Sequence, residues 1–335
     1  MRRMVEHYVH TAHSGALVLT PRRRPIPLAG LTRGVTPEAF STAGQAMTWF
    51  TAEHPVLMGL INLAGPDAQV QQLAWALGTF LHWRGHLHDW ADVAMAGLDA
   101  SQRLGDKRGQ VYAHRDLSRA FTLLGRFTES RHHAEQSLNL AIDVADRTAE
   151  AHARHELIWA LGRQGRYLDA LDHAKRSLEL FRMVGHRLGY AMALNGLGTC
   201  EALLGRFERA LSLCQQALIA FEELSEPKGE AASWDTLGFA HHHLGNHDEA
   251  IDCHRQALTR YVRVGDRIGE VEARIRLGNA YHVAGAKVAA RDSWQHALDV
   301  LDELAHPHAM HVRALLRDTA LGDDSQTVPL YWPHR

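Results

Sequence analysis

Histidine is the residue with the widest chemical reach in this chain, present 25 times in 335 positions. Three clusters stand out: His82, His86 and His88; His132 and His133; and His241, His242 and His243 with His247. A zinc site needs three or four ligands that converge on one point. Consecutive residues on a helix point about 100° apart, so a run of histidines cannot converge as a whole. His243 and His247 straddle Gly245, which removes any assurance of i,i+4 geometry. No cysteine pair or H-E-x-x-H pattern accompanies them, so no metal ligand and no cofactor is designated. Cys200, Cys214 and Cys253 have no evident activating neighbours, and no nucleophile elbow or triad context is visible. The sequence contains no G-x4-G-K-[ST] phosphate loop. The expectation is a protein without catalytic chemistry.

The elements that position these residues are periodic. Glycine recurs at Gly85, Gly125, Gly165, Gly205, Gly245 and Gly285, every 40 residues without insertion. Eight residues earlier there is always a leucine (Leu77, Leu117, Leu157, Leu197, Leu237, Leu277), and thirteen residues later another (Leu98, Leu138, Leu178, Leu218, Leu258, Leu298). A small-residue column holds Ala120, Ala160, Cys200, Ala240 and Ala280, with Phe80 in the first unit. Each unit reads as helix, turn, helix, turn, because apolar positions follow helical spacing on both sides of the glycine. The links Gly105-Asp106, Gly185-His186 and Gly265-Asp266 supply a left-handed helix end, and Asp106 and Asp266 supply caps for the next helix.

These columns resemble the tetratricopeptide repeat, W-x2-L-G-x2-Y followed by A-x3-F. Trp234-x2-Leu237-Gly238 matches its start, Leu277-Gly278-x2-Tyr281 its middle, and Ala290-x3-Trp294 its second half with a larger aromatic. The units are longer than the family's usual 34 residues. The resemblance implies an all-α fold, a right-handed α-solenoid of six 40-residue units with N- and C-terminal capping helices. A narrower resemblance, to the C-terminal arrays of actinobacterial SARP-type (AfsR-like) transcriptional regulators, rests on three features. These are the G-D-R-x-G links, turns such as Leu204-Gly205-Arg206-Phe207-Glu208-Arg209-Ala210, and the lead-in Trp49-Phe50-Thr51-Ala52-Glu53-His54-Pro55. It implies a sensor or interaction arm lacking the DNA-binding and NTPase domains. A free-standing adaptor or peptide receptor is the alternative, and a histidine-based metal protein a third.

Asp235, Phe239, His242 and His243 lie beside the core stripe at i, i+4, i+7 and i+8, and in a tetratricopeptide array that face lines the concave groove. The matching positions include Trp75 and Trp83; Arg115 and Arg119; His155, Trp159 and Arg163; Asn195; and Asn279 and His282. The first three units are therefore aromatic and basic. Arginine pairs with carboxylates and tryptophan offers contact area with few rotatable bonds, which suits an extended protein or peptide ligand. Alternatively these are ordinary solvated residues, some packed on adjacent helices. The groove histidines His82, His155, His242 and His282 raise a further expectation, a pH response near neutrality.

The remaining segments divide as follows. Residues 1–20 form a helix resembling the end of an upstream module, and 21–35 a Pro/Arg linker in which Arg22-Arg23-Arg24 are solvated. Residues 36–66 form capping helices, one starting at Thr36-Pro37-Glu38 and another at Pro55. The array spans 67–304, a last capping helix 305–321, and a disordered tail 322–335. With 36 basic against 38 acidic residues, the balance does not suggest direct nucleic-acid binding. No apolar run is long enough to span a bilayer, and three cysteines are too few for a disulfide framework. A cytoplasmic protein without membrane contact is expected, with a transcription-regulator partner under the narrower resemblance.

Overall fold

The computed structural model describes residues 2–63 and 67–320, with side chains through Arg317. Among them all regular structure is α-helical. Two helices lead in, α1 (Arg2–Leu19) and α2 (Ala43–Asn62). Six pairs follow: α3 (Asp67–Arg84) with α4 (Leu87–Arg103), α5 (Lys107–Leu123) with α6 (Phe127–Asp143), and α7 (Arg147–Gly162) with α8 (Tyr167–Met183). Then come α9 (Arg187–Leu203) with α10 (Phe207–Glu223), α11 (Pro227–His243) with α12 (His247–Val264), and α13 (Arg267–Val283) with α14 (Lys287–Glu303). Helix α15 (Ala309–Ala320) closes the described chain. Each helix packs on the next, which makes the array an α-solenoid.

One local device ends the helices of the array. At the second turn, Gly125 N–H donates to Thr122 O at 3.2 Å and Arg126 N–H to Phe121 O at 2.8 Å, with Gly125 at φ +76°. This is the paired bonding of a left-handed helix end. The inter-unit links do the same, but alternate in residue: Gly105, Gly185 and Gly265 interleave with Ala145, Ser225 and Ala305, whose φ values are +53°, +52° and +47°. The helices that follow are capped as the links suggest. Asp106 accepts from Arg108 N–H and Asp266 from Gly269 N–H, both at 3.0 Å, and Asp146 and His186 play the same part.

The leucine and alanine columns form the core. Later units also show a size exchange between helices. A Cβ on Gly198 would stand 2.4 Å from Cys214 Sγ, one on Gly238 2.7 Å from the His254 ring, and one on Gly278 2.4 Å from Trp294 Nε1. Missing side chains on the first helix thus seat growing ones on the second, and all three seated side chains are fully buried.

The lead-in differs from its sequence reading in three respects. Thr36-Pro37-Glu38 does not start a helix. The segment has no regular structure and is tied to α1, with His7 Nδ1 2.9 Å from Thr36 O and Glu38 N–H donating to Thr11 Oγ1 at 3.0 Å. The helix starts at Ala43, where the Thr42 side chain accepts from Gln45 N–H. Pro55 lies inside α2 instead of opening a new helix. Pro55 and Thr51, whose carbonyl loses its partner, are both exposed, so solvent can take that carbonyl. Finally, residues 21–35 are not a free linker, as described below. The end of the 36–66 segment and the 322–335 tail lie outside the described residues.

The solenoid meets itself. Helix α13 packs on α3, and the Leu304 side chain sits against the Gly85 turn. The His306 ring lies near Leu123 of α5. A cavity of about 10 Å³ between α5, α7 and the last helices is bordered by Thr122, Arg163, Ile268, Glu272 and His306, room for about one water.

Candidate binding surface on the inner face

Because the last unit returns to the first, the inner-face side chains are enclosed. Trp75, His155, Arg163, Asn195, Asp235, Phe239 and Asn279 are buried; Trp83, Arg115, Arg119, Trp159, His242 and His282 are half-buried. Two groups of contacts account for this.

The first group belongs to the chain's own residues 20–28, which lie on the inner side of α3. The Arg23 guanidinium stands 4.0 Å above the Trp75 ring and lies 3.5 Å from Thr79 Oγ1. Desolvation pulls its pKa down to about 10, with Asp116 opposing that shift and Arg115 and Arg119 adding to it. Arg22 pairs with Glu226 at the start of α11, across the interior. Gln72 Nε2 donates to Pro27 O at 3.0 Å, His13 stacks on Trp75 with ring centroids 5.1 Å apart, and Ile26 and Leu28 pack on the apolar cluster of α1–α5. The expected solvated arginine run is thus only partly solvated. Arg24 is exposed, but Arg23 is a half-buried ligand of the inner face.

The second group is a chain of charges through the last units. His254 Nδ1 lies 3.1 Å from Asp235, Asp235 pairs with Arg276, Arg276 lies 3.6 Å from Glu272, and Glu272 receives Arg163 at 3.0 Å. Burial pushes His254 down to about 3, so its contact with Asp235 is a neutral hydrogen bond and not an ion pair. Lys228 pairs with buried Asp266 at 2.5 Å and stands over the Trp83 ring at 5.7 Å. Arg119 lies 3.9 Å from Glu156, whose carboxyl is raised by burial.

Trp75, Arg115, Arg119, Arg163 and Asp235 of this surface are legible in the sequence, whereas several of their charged partners are not. Asp116, Glu156 and Arg276 share one column, nine residues before each turn glycine, and all three are buried. Glu272 belongs to a further column, with Gln72, Tyr112 and His152, one helical turn before the groove positions. A charge recurring inside an otherwise apolar helix is the signal that marks them.

The histidines are mostly packing residues. His114 and His133 place their Nδ1 atoms 2.8 Å apart, and burial lowers both to about 4. His82 is pushed well below its ordinary value, and His155 and His242 to about 4, by desolvation. These three are therefore neutral between pH 6 and 8 and do not supply the expected response near neutrality. Among the described residues, His54, His86 and Asp89 bring three donor atoms within 4.8 Å of one another. His54 Nε2 already lies 2.9 Å from Asp89, and the His54 and His86 rings stack at 4.3 Å. Cys200, Cys214 and Cys253 are buried, with thiols pushed up to about 12, which is the chemistry of inert fillers.

Residues 150–223 and 229–303 match the tetratricopeptide repeat profile. No curated protein sequence is significantly similar. Among solved structures, a Rap protein complexed with competence and sporulation factor aligns with a TM-score of 0.59 at 13% identity, over 82% of this chain and 83% of that one. The apo form of RapI aligns with a TM-score of 0.50 at 15% identity, over 75% and 96%. Aspartyl phosphate phosphatase F from Bacillus subtilis aligns with a TM-score of 0.50 at 13% identity, over 87% and 78%. At these identities the likeness is one of fold. Residues 150–223 and 229–303 carry the tetratricopeptide repeat sequence pattern, within an α-solenoid whose helix pairs recur along the array.

Proposed function

We propose that this protein is a non-catalytic scaffold whose inner face binds an extended protein segment. The observation that carries the reading is that this face already holds one: residues 20–28 lie along it, with Arg23 on Trp75 and Arg22 on Glu226. The fold supports it, since the concave surface of a solenoid is extended and lined by every repeat. A Rap protein of similar fold is known in complex with competence and sporulation factor.

The narrower part of the proposal is a role as sensor or interaction arm of a SARP-type transcriptional regulator. It rests on the sequence features of the links, turns and lead-in. The site assigned to the partner comprises Trp75, Trp83, Arg115, Arg119, Trp159 and Arg163, with the later-unit positions completing its far wall. A cytoplasmic location goes with this role, and the three buried, unpaired thiols suit it. Among the described residues no helix is long and apolar enough to cross a membrane.

Capture from native lysate tests the surface. The chain with Arg115→Glu and Arg119→Glu should change its capture of the partner, losing an acidic one and holding a basic one more tightly, while keeping its helicity and nearly its melting temperature. Unaltered capture by that variant places the partner elsewhere.

A further inference from the structure

Residues 20–28 touch the inner face in a way that describes what the face selects. Pro21, Arg22, Arg24, Pro25 and Pro27 are exposed, whereas Arg23, Ile26 and Leu28 turn inward. The strap is therefore laid on the surface by a few side chains and is not woven into the core. Its backbone makes one described local turn, Arg23 N–H to Thr20 O at 2.9 Å. Each proline fixes φ near its extended value, so the segment loses little freedom when it docks.

The receiving groups form a guanidinium site: the flat face of Trp75, the Thr79 hydroxyl, and Asp116 as the facing negative charge. The Trp75 face and the negative charge of Asp116 attract a planar cation, against its desolvation and the charges of Arg115 and Arg119. A second cation position lies at Glu226, which takes Arg22. Arg115 and Arg119 do not make the region a carboxylate receptor. Arg119 is engaged by Glu156, by the Trp90 face at 5.4 Å and by His82 at 3.3 Å, and Arg115 stands over the Tyr112 ring at 5.3 Å.

We propose that residues 20–28 are an internal ligand that blocks this site, and that the external partner is a protein segment bearing consecutive arginines beside proline, which displaces them. The proposal rests on the reading that the inner face binds an extended protein segment, and it replaces the acidic peptide expected from sequence with a basic one. Because the strap is joined directly to α1, it competes at high effective concentration. It also ties the first unit to the fifth through Arg22 and Glu226, so its release removes one link across the closed interior.

The test uses the full chain and two labelled peptides, Thr-Pro-Arg-Arg-Arg-Pro-Ile-Pro-Leu and the same peptide with three glutamates in place of the arginines. Binding is read by fluorescence anisotropy. Arg22→Asp with Arg23→Asp frees the site, and the basic peptide should then bind on the order of tenfold or more tightly than to the unaltered chain. Adding Trp75→Ala should remove that gain. Where the double variant fails to fold, Arg23→Gln alone releases the stacked cation and serves in its place. Equal affinity of the basic peptide for the unaltered and released chains overturns the blocking role. Binding of only the acidic peptide overturns the ligand class and leaves the inner-face reading standing. Binding of neither peptide to a folded, released chain overturns the inference outright. The inner-face reading is then decided separately by capture of the native partner: loss of it by the Arg115→Glu, Arg119→Glu chain keeps the inner face as the site with an acidic ligand, and unaltered capture overturns the inner-face reading.

Discussion

The inner face of the first two units and that of the last two are built from the same helical positions, but they are satisfied differently. In the first two, the buried Trp75 meets a half-buried arginine from outside the repeats: Trp75 holds Arg23, and Thr79 lies beside it. In the last two, buried charges meet one another through Asp235, Arg276 and Glu272, and the series ends on Arg163 of the third unit. The difference separates two tasks that a repeat can perform with one surface. A buried, mutually paired network fixes how the solenoid closes. A half-buried surface covered by a thin strap can exchange its cover at small cost in packing.

The largest expected contrast is between two arginines. Arg276→Ala leaves Asp235 and Glu272 without their buried cation and should destabilise by about 3–5 kcal/mol. Chemical denaturation measures this, and a loss below about 1 kcal/mol would mean that the last units are not held by their charges.

Acid should act next. Burial lowers His114, His133, His155, His242 and His306 to about 4, and His254 and His308 to about 3. The unfolded value is about 6.5, so the unfolded chain binds more protons below it. The stabilisation is fully present above about pH 6.5 and is lost as pH falls toward 4. Melting temperature should be flat between about pH 7 and 8 and fall steeply between about 6.5 and 4. A flat profile down to about pH 5 would contradict the burial of these rings.

Arg119→Ala, by comparison, should change stability by no more than about 1 kcal/mol, because its ion pair is long and partly solvated. A loss as large as that of Arg276 would erase the distinction between the two regions. The smallest effect belongs to the links. Ala145 is held at φ +53°. Ala145→Gly should raise stability by roughly 0.5–1 kcal/mol, since a side chain in the left-handed region is strained. The same substitution at Ser225 should behave alike, and a decrease in either case would mean that the link is not strained.

The repeat was legible because three residue columns stay in phase over six units, and helical periodicity then dictates the packing. The alternate links were not, since Ala145, Ser225 and Ala305 adopt the glycine conformation without a glycine to mark it. The cationic stripe was also legible, because tryptophan and arginine stand out on a helix face. Its partners were not: Arg163 and Glu272 are 109 residues apart, and Arg22 and Glu226 are 204 apart. Which turn of a solenoid returns to which depends on small rotations summed over every unit, and no local pattern records that sum. The helix breaks at Thr36 and Pro55 failed as boundaries for a related reason, since packing against α1 and exposure to solvent outweighed the local preference.

The occupied inner face is tested most directly by nuclear magnetic resonance of the Arg23 side chain in the intact, unliganded chain, assigned by comparison with Arg23→Lys. With the guanidinium 4.0 Å above the Trp75 ring, its δ and ε protons should be shifted upfield by the indole ring current, and Trp75→Phe should reduce that shift. Side-chain resonances at the positions of a free, solvated arginine would contradict the docked strap and, with it, the observation on which the inner-face function rests.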